Sequence, residues 1–176
     1  MTAVAGVLAS AAQFRDGDLV FRRGRDGISA MVLAGRQGSR FSHVGMVLLH
    51  QGQVFVIHAM PGDSGQVGGV RMESLGAFLD SAVASDAAVY RPTGLREEGR
   101  QRLRQQLLAL QGRPFDYRFS LATPERVYCS ELVLGALAAA GIPQSPMVTT
   151  VSLVAGPVVL PDALRRLPGL EPVAGE

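Results

Sequence analysis

The sequence predicts an α+β protein, and three features of the 176-residue chain lead to this class. Strand-like segments cluster before Pro92, two longer helical patterns follow it, and two neighbouring strand segments are separated by a two-residue turn. Apolar residues make up 47% of the chain and charged residues 18%, the composition of a globular protein with a substantial core. Because no internal repeat or linker interrupts the pattern, we expect a single domain over residues 1–176.

The first half of the chain contains the predicted strands. The segment "GDLVFR" follows a turn and has strand character, and "DGISAMVLAG" has helical spacing with Gly35 as its stop. Two strong strands, "HVGMVLLH" and "QVFVIHA", flank Gln51-Gly52 and predict a hairpin. A weaker strand "GGVRM", a short helix "SLGAFLDS" capped by Ser74, and a strand "AAVYRP" complete this half.

The second half is mainly helical. From Leu95 to Gln111 the leucines recur at helical spacing, and Gly112 follows as the C′ residue. The segment after Cys129 has the same spacing and ends at Gly141. A Pro-rich remainder contains one short helical segment, "PDALRRL".

Charge and hydropathy exclude several classes of protein. All seventeen positive charges are arginine, yet the net charge is only +2, so we expect no nucleic-acid partner. The run "FRRGR" is interpreted as a solvated strand end and loop. No stretch approaches about 18 uninterrupted apolar residues, which predicts no transmembrane segment. The N-terminal "MTAVAGVLASAA" has no positive n-region and is not a convincing signal peptide, so the default location is cytoplasmic.

Cys129 is the only cysteine, which excludes an intramolecular disulfide and a CxxC redox pair. A lone cysteine is either a small core residue or a nucleophile, and a nucleophilic thiol needs an imidazole nearby. In the first turn of a helix the dipole favours a thiolate. A helix beginning at Thr123-Pro124 would instead place Cys129 in the second turn.

The predicted hairpin assigns each of the three histidines of the chain to one of its two faces. A two-residue loop pairs His50 with Gln53 and brings Gly45 opposite His58. His43 and His58 then share one face as diagonal neighbours, with Gly45 leaving open space, while His50 lies on the other face near the tip. A catalytic imidazole needs an orienting partner, and the chain has no asparagine for that role. Two buried, satisfied polar histidines are the alternative.

The ordered segments "GDLVFR", "FSHVGMVL", "VIHA", "GRPFDYRF" and "VYCSELV" together resemble the YiiX/YebB-like group of cysteine hydrolases. These are permuted relatives of the NlpC-type cell-wall amidopeptidases. The resemblance covers about Gly17 to Leu164, which we take as the core of the domain (about 17–164). It implies a permuted papain-like fold, with an antiparallel sheet or barrel flanked by helices and the nucleophile at a helix N-terminus.

The resemblance also assigns roles to individual residues. It makes Cys129 the nucleophile and His43 the base. Many relatives have glutamate where this chain has His58, and histidine at that position resembles the lecithin:retinol acyltransferase branch; His58 is therefore expected to orient His43. Tyr117 and Tyr128 stand where the family places aromatic residues near the nucleophile, so they are candidate substrate-binding residues. Ordinary half-buried tyrosines are the alternative.

The expected function is a cofactor-independent cysteine hydrolase that cleaves an amide bond, foremost in cell-wall peptides. Its partners would be peptide or acyl small molecules, including peptidoglycan fragments, and cell-wall work would require export. A lipid-directed acyltransferase or (thio)esterase is the alternative that His58 favours. A metal protein with His43, His58 and Cys129 as ligands, and an inactive binding module on the same fold, are further alternatives.

Overall fold

An antiparallel sheet flanked by helices organises the computed structural model, which describes residues 2–62, 65, 67–142, 144–145, 148–150 and 156–175. The helices are α1 Ala3–Ala9, α2 Gly27–Ala34, α3 Leu75–Phe78, α4 Glu97–Ala109, α5 Cys129–Ala139 and α6 Pro161–Arg165. The strands are β1 Leu19–Gly24, β2 His43–His50, β3 Gln53–Met60, β4 Gly69–Ser74, β5 Ala84–Pro92, β6 Thr149–Thr150, β7 Pro157–Val158 and β8 Leu170–Ala174. This arrangement confirms the predicted α+β class.

Six strands form the main sheet in the order β4-β3-β2-β1-β5-β8, and every neighbouring pair is antiparallel. Strands β6 and β7 pair separately as a two-stranded sheet. Strand β2 therefore lies inside the main sheet, between β1 and β3. Side chains at the start of β2 are held by neighbours on both sides.

The hairpin of β2 and β3 has the predicted register. His50 lies opposite Gln53, and the pairing continues without a slip to Met46 opposite Ile57. Gln51 and Gly52 both have positive φ, 49° and 76°, which fits the right-handed twist of the two strands. The short turn thus fixes which side chains of the hairpin share a face.

The sheet packs on both faces. One hydrophobic cluster joins the sheet to α5 and α4, and a second joins it to α1 and α3. Alternation along β1 places Val20 in the second cluster and its neighbours Leu19 and Phe21 in the first. Because α5 packs on β2 and β3, its N-terminus lies near the hairpin.

Several features differ from the sequence expectations. The apolar lead-in forms α1, and the Pro-rich end contributes β8 as an edge strand. The "FRRGR" run is solvated only in part, because Arg23 is exposed whereas Arg22 is 3% exposed. Within the described residues, no helix is long and apolar enough to cross a membrane. Residues 1 and 176 of the predicted domain lie outside the described residues.

Candidate active site

Cys129 is the first residue of α5. The preceding residue, Tyr128, has extended backbone angles (φ −108°, ψ 171°) and caps the helix, and its N–H donates to Glu131 Oε2 at 3.4 Å. Residues 123–125 do not belong to a helix, so the alternative start at Thr123-Pro124 is not used. The first-turn position gives Cys129 the full benefit of the helix dipole.

Burial dominates the environment of the thiol. Cys129 is 6% exposed, and this burial raises the pKa of the thiol above its usual value. The hydroxyl of Ser130 and the backbone N–H groups of Val44, Ser130 and Cys129 itself act in the opposite direction without cancelling it. The resting form of the cysteine is therefore the neutral thiol, whereas the helix dipole alone would favour the thiolate.

His43 and His58 are in direct contact. His43 Nε2 lies 2.8 Å from His58 Nδ1, and both imidazoles are buried, with exposures of 7% and 0%. On the far side, His58 Nε2 lies 2.9 Å from Glu73 Oε1, an oblique approach to the ring N–H. His50 is exposed and lies next to the hairpin turn, as predicted.

The negative charge of Glu73, 2.9 Å from His58 Nε2, favours one tautomer of each ring. A proton on His58 Nε2 faces the carboxylate, so His58 Nδ1 accepts the hydrogen bond that His43 Nε2–H donates. The lone pair of His43 then lies on Nδ1, the nitrogen not used by His58. His43 is thereby held in the form that accepts a proton.

His43, His58 and Glu73 all have shifted pKa values. Burial lowers the pKa of His43 well below its usual value, and the positive charge of Arg22 lowers it further. Burial also lowers the pKa of His58, against the opposing effect of Glu73. Burial alone would raise the pKa of Glu73, but the contacts with His58 and with Arg71 reverse the direction. At neutral pH both imidazoles are neutral and Glu73 is ionised.

Phe78 of α3 forms an apolar floor beneath the histidines. Its ring centroid lies 5.7 Å from that of His43 and 5.0 Å from that of His58. The space at Gly45 is not open as predicted, because a Cβ there would lie 2.5 Å from Val56 Cγ1 and 3.0 Å from His58 Cβ. The absence of a side chain at Gly45 allows β3 to approach closely, so no open pocket remains at this residue.

Cys129 and His43 line one small cavity of about 30 Å³ at the start of β2, together with Arg22, Ser42 and Met60. Cys129 also borders a small apolar slot of about 20 Å³. This slot is lined mainly by Met31, Phe119, Tyr128, Val158 and Leu160. The two cavities share Val32, Ser42, Phe119 and Cys129, so the thiol lies where they meet.

The two tyrosines have different surroundings. Tyr117 is 54% exposed and lines an open groove that shares Arg22 and Met60 with the cavity of Cys129 and His43. Its hydroxyl accepts a hydrogen bond from Gly62 N–H at 2.7 Å. Tyr128 is 1% exposed, and its hydroxyl accepts from Val159 N–H at 3.2 Å. Tyr128 is thus a core residue at the wall of the slot, with its hydroxyl already bonded.

Two residues with contacts at this site were not predicted. Glu73 belongs to β4, where it lies opposite Val56, so it shares a face with His58. Arg22 lies opposite His43 on β1. The alternation of side chains along each strand could have placed both residues on the face of the histidines. For Glu73 the β3–β4 register is also needed, and no short turn fixes that register.

The metal-binding alternative would use His43, His58 and Cys129 as ligands. Among the residues that the structure describes, no group of three or more His, Cys, Asp or Glu side chains is placed to hold a metal ion. His43 and His58 direct a nitrogen at each other, so these two nitrogens do not converge on a common point.

A helix that begins at a cysteine, packed on a sheet that presents histidine, is the arrangement of papain-like enzymes, and here the histidine strand comes first in the chain. The chain belongs to the family of permuted papain-like amidases described as YaeF/YiiX, C92, whose family model matches residues 13–171. This membership confirms the YiiX-like resemblance.

One solved structure similar to the chain is described as the crystal structure of metalloprotein yiiX from Escherichia coli O157:H7. It aligns with a TM-score of 0.76 and 26% sequence identity, covering 93% of this chain and 98% of that one. No protein with a curated description matches the chain.

Proposed function

We propose that this protein is a cysteine amidase in which Cys129 is the nucleophile, His43 the general base and His58 the residue that orients His43. The observation that carries the proposal is the chain of contacts from Glu73 through His58 to His43, which ends at the cavity that Cys129 also lines. A chain of this kind fixes the tautomer of the base and stabilises its charged form.

The first half of the reaction forms a thioester. His43 Nδ1 takes the proton of the Cys129 thiol as the sulfur attacks the carbonyl carbon of the amide. The oxyanion of the tetrahedral intermediate is stabilised by the N–H of Cys129 at the start of α5. His43 then gives its proton to the leaving nitrogen, the C–N bond breaks, and an amine departs.

The second half restores the enzyme. His43 accepts a proton from a water molecule, whose oxygen attacks the thioester carbonyl carbon. The C–S bond breaks, the carboxylic acid is released, and the sulfur regains a proton from His43. The neutral resting states of Cys129 and His43 fit this sequence, since each proton transfer accompanies the formation or the breaking of a bond and needs no preformed ion pair.

We propose peptides as the substrate class, with cell-wall peptides as the first candidates because of the family. The apolar lining of the slot beside Cys129 is the observation that favours acyl transfer from a lipid as the second candidate. Both reactions pass through a thioester on Cys129. They differ in the acyl donor and in the acceptor that receives it.

The test uses purified protein with peptidoglycan peptides in one arm and phospholipids in the other. Mass spectrometry of the protein after rapid quenching identifies the acyl group on Cys129 from its added mass, and product analysis identifies the acceptor. A peptide acyl group that is released by water supports the proposal. Acylation of Cys129 by the phospholipids and not by the peptides would contradict the proposed peptidase activity and support the lipid-directed acyltransferase.

The matched variants are Cys129→Ala, His43→Ala and His50→Ala. We expect the first two to lower kcat/KM by about 10³-fold or more, because nucleophile and base act as a unit. His50 lies at the exposed hairpin end, so His50→Ala controls for the loss of a histidine and should retain activity. Nearly full activity of His43→Ala would refute the proposed base.

A further inference from the structure

Arg22 is a buried cation in the wall of the candidate active site. It is 3% exposed, lies opposite His43 on the neighbouring strand, and lines the same cavity as Cys129. One terminal nitrogen donates to Phe78 O at 2.7 Å, and the guanidinium lies 4.5 Å from the centre of the Phe78 ring. Buried guanidinium groups normally have a carboxylate or several strong acceptors as partners.

The remaining donors of Arg22 are poorly satisfied. Within the described part of the chain, its Nε has no hydrogen-bond partner, and its second terminal nitrogen reaches only Met60 Sδ at 3.3 Å. Arg71 also donates to this sulfur, at 3.0 Å. A thioether is a weak acceptor. Two guanidinium groups thus converge on one neutral atom that also lines the cavity.

The nearby carboxylates have other partners. Glu73 is in contact with His58 at 2.9 Å and Arg71 at 3.7 Å. Asp26, at the rim of the cavity, accepts the N–H and hydroxyl of Ser29 at 2.8 and 2.7 Å. Across the described ranges, neither carboxylate forms an ion pair with Arg22. The charge of Arg22 is therefore available to a ligand in the cavity.

We propose that Arg22 forms a carboxylate-binding subsite beside Cys129, so that the substrate carries a free carboxylate close to the amide that is cleaved. Arg71, which donates to the same Met60 sulfur, is a second positive charge near this subsite. Guanidinium groups bind carboxylates through paired, charge-assisted hydrogen bonds, which Met60 cannot supply. This inference rests on the proposed function, since it describes the substrate of the same site.

The test compares iodoacetate with iodoacetamide as alkylating agents of Cys129, the only thiol in the chain. The two reagents have the same reacting carbon and differ in a carboxylate against a neutral amide. The ratio of their rates is measured by mass spectrometry and divided by the same ratio for free cysteine. We expect the normalised ratio to favour iodoacetate by about tenfold or more, a preference that charge-assisted hydrogen bonds can supply.

The variants distinguish a subsite from a structural role. Arg22→Met should abolish the preference, and Arg22→Lys should retain part of it. Arg23→Met is the matched control, because it removes the same charge from the exposed neighbouring residue and should leave the ratio unchanged. Met60→Leu should keep or increase the preference, and it tests the proposal even if Arg22→Met does not fold.

Two results would overturn the subsite: a wild-type ratio equal to that of free cysteine, or equal slowing of both reagents in Arg22→Met and Arg22→Lys. The second result would leave Arg22 as a stabiliser of the thiolate. Neither measurement requires amide hydrolysis. A protein that favours iodoacetate but cleaves no amide would therefore contradict the proposed function and retain the anion-binding site.

Discussion

Glu73 changes the chemistry expected of the histidine pair. Two neutral imidazoles in contact have two ways to share a hydrogen bond, and a carboxylate on one side selects between them. With Glu73 facing His58 Nε2, the basic nitrogen of His43 is the one not bonded to His58. The role of His58 thus depends on a residue of the next strand.

The first prediction concerns His58 and the glutamate that many relatives have at its position. His58→Ala should lower kcat/KM by roughly 10²-fold, the low end of the contribution of general-base catalysis. His58→Glu alone should recover little, because it places a second carboxylate beside Glu73 and raises the pKa of one of them. His58→Glu combined with Glu73→Gln should recover more. The measurement is kcat/KM on the substrate that the test of the proposed function identifies.

Glu73→Gln alone is the control for the double variant. It keeps the size of the side chain and removes the charge, so it should cost less activity than His58→Ala. If the double variant were no more active than His58→Glu, Glu73 would not act on His43 through His58, and the orienting role assigned to His58 would be wrong.

The β2–β3 hairpin is the element that determines the site. Gly45 matters because the strands approach closely at this residue, where an added Cβ would meet Val56 Cγ1, His58 Cβ and Ile57 O. The second prediction is that Gly45→Ala destabilises the protein by about 1–3 kcal/mol, the usual cost of overpacking, and also lowers activity by displacing His58. Urea unfolding and kcat/KM measure the two effects.

Gly135 supplies the matched control within α5. A Cβ there meets nothing within 4 Å, so Gly135→Ala removes only the entropic cost of a helical glycine. It should raise the free energy of unfolding by about 0.5–1 kcal/mol. Equal effects of the two substitutions would contradict the close packing at Gly45.

The sequence predicted the structure best where a short turn between neighbouring segments determines which residues pair. The turn at Gln51-Gly52 fixes the hairpin register, and alternation then places His43 and His58 on one face. Glu73 was not predictable because residues 61–68 separate β3 from β4 without a short turn to set the register. Strand β8 was missed because Pro172 lies in it, and proline fits an edge strand only where the partner does not need its N–H.

For the molecule as a whole, the third prediction is a loss of stability on acidification. The pKa values of His43 and His58 are lowered in the folded state, so below about pH 6.5 the unfolded chain binds protons that the folded chain does not. Each histidine then lowers the free energy of unfolding by up to about 1.4 kcal/mol per pH unit. Urea titrations at pH 7, 6 and 5 measure this slope.

Glu131 acts in the opposite direction over the same range. Burial raises its pKa to about 7, so between about pH 5 and 7 the folded state keeps a proton that the unfolded state loses. Glu131 is half-buried, and its contribution is correspondingly smaller. Glu131→Gln should steepen the loss of stability on acidification, and His43→Gln should make it shallower. Identical slopes in all three proteins would contradict both assignments.

The order of His43 and Cys129 along the chain has a consequence for synthesis. His43 is synthesised before Cys129, and the 86 residues added after His43, up to and including Cys129, take about 4–17 s to translate at the usual 5–20 residues per second. Five strands of the main sheet, β1 to β5, have been synthesised before this interval ends, because β5 ends at Pro92. The hairpin can form before any thiol exists in the nascent chain. The chain therefore gains its only thiol after the strands that carry His43 and His58 have been synthesised.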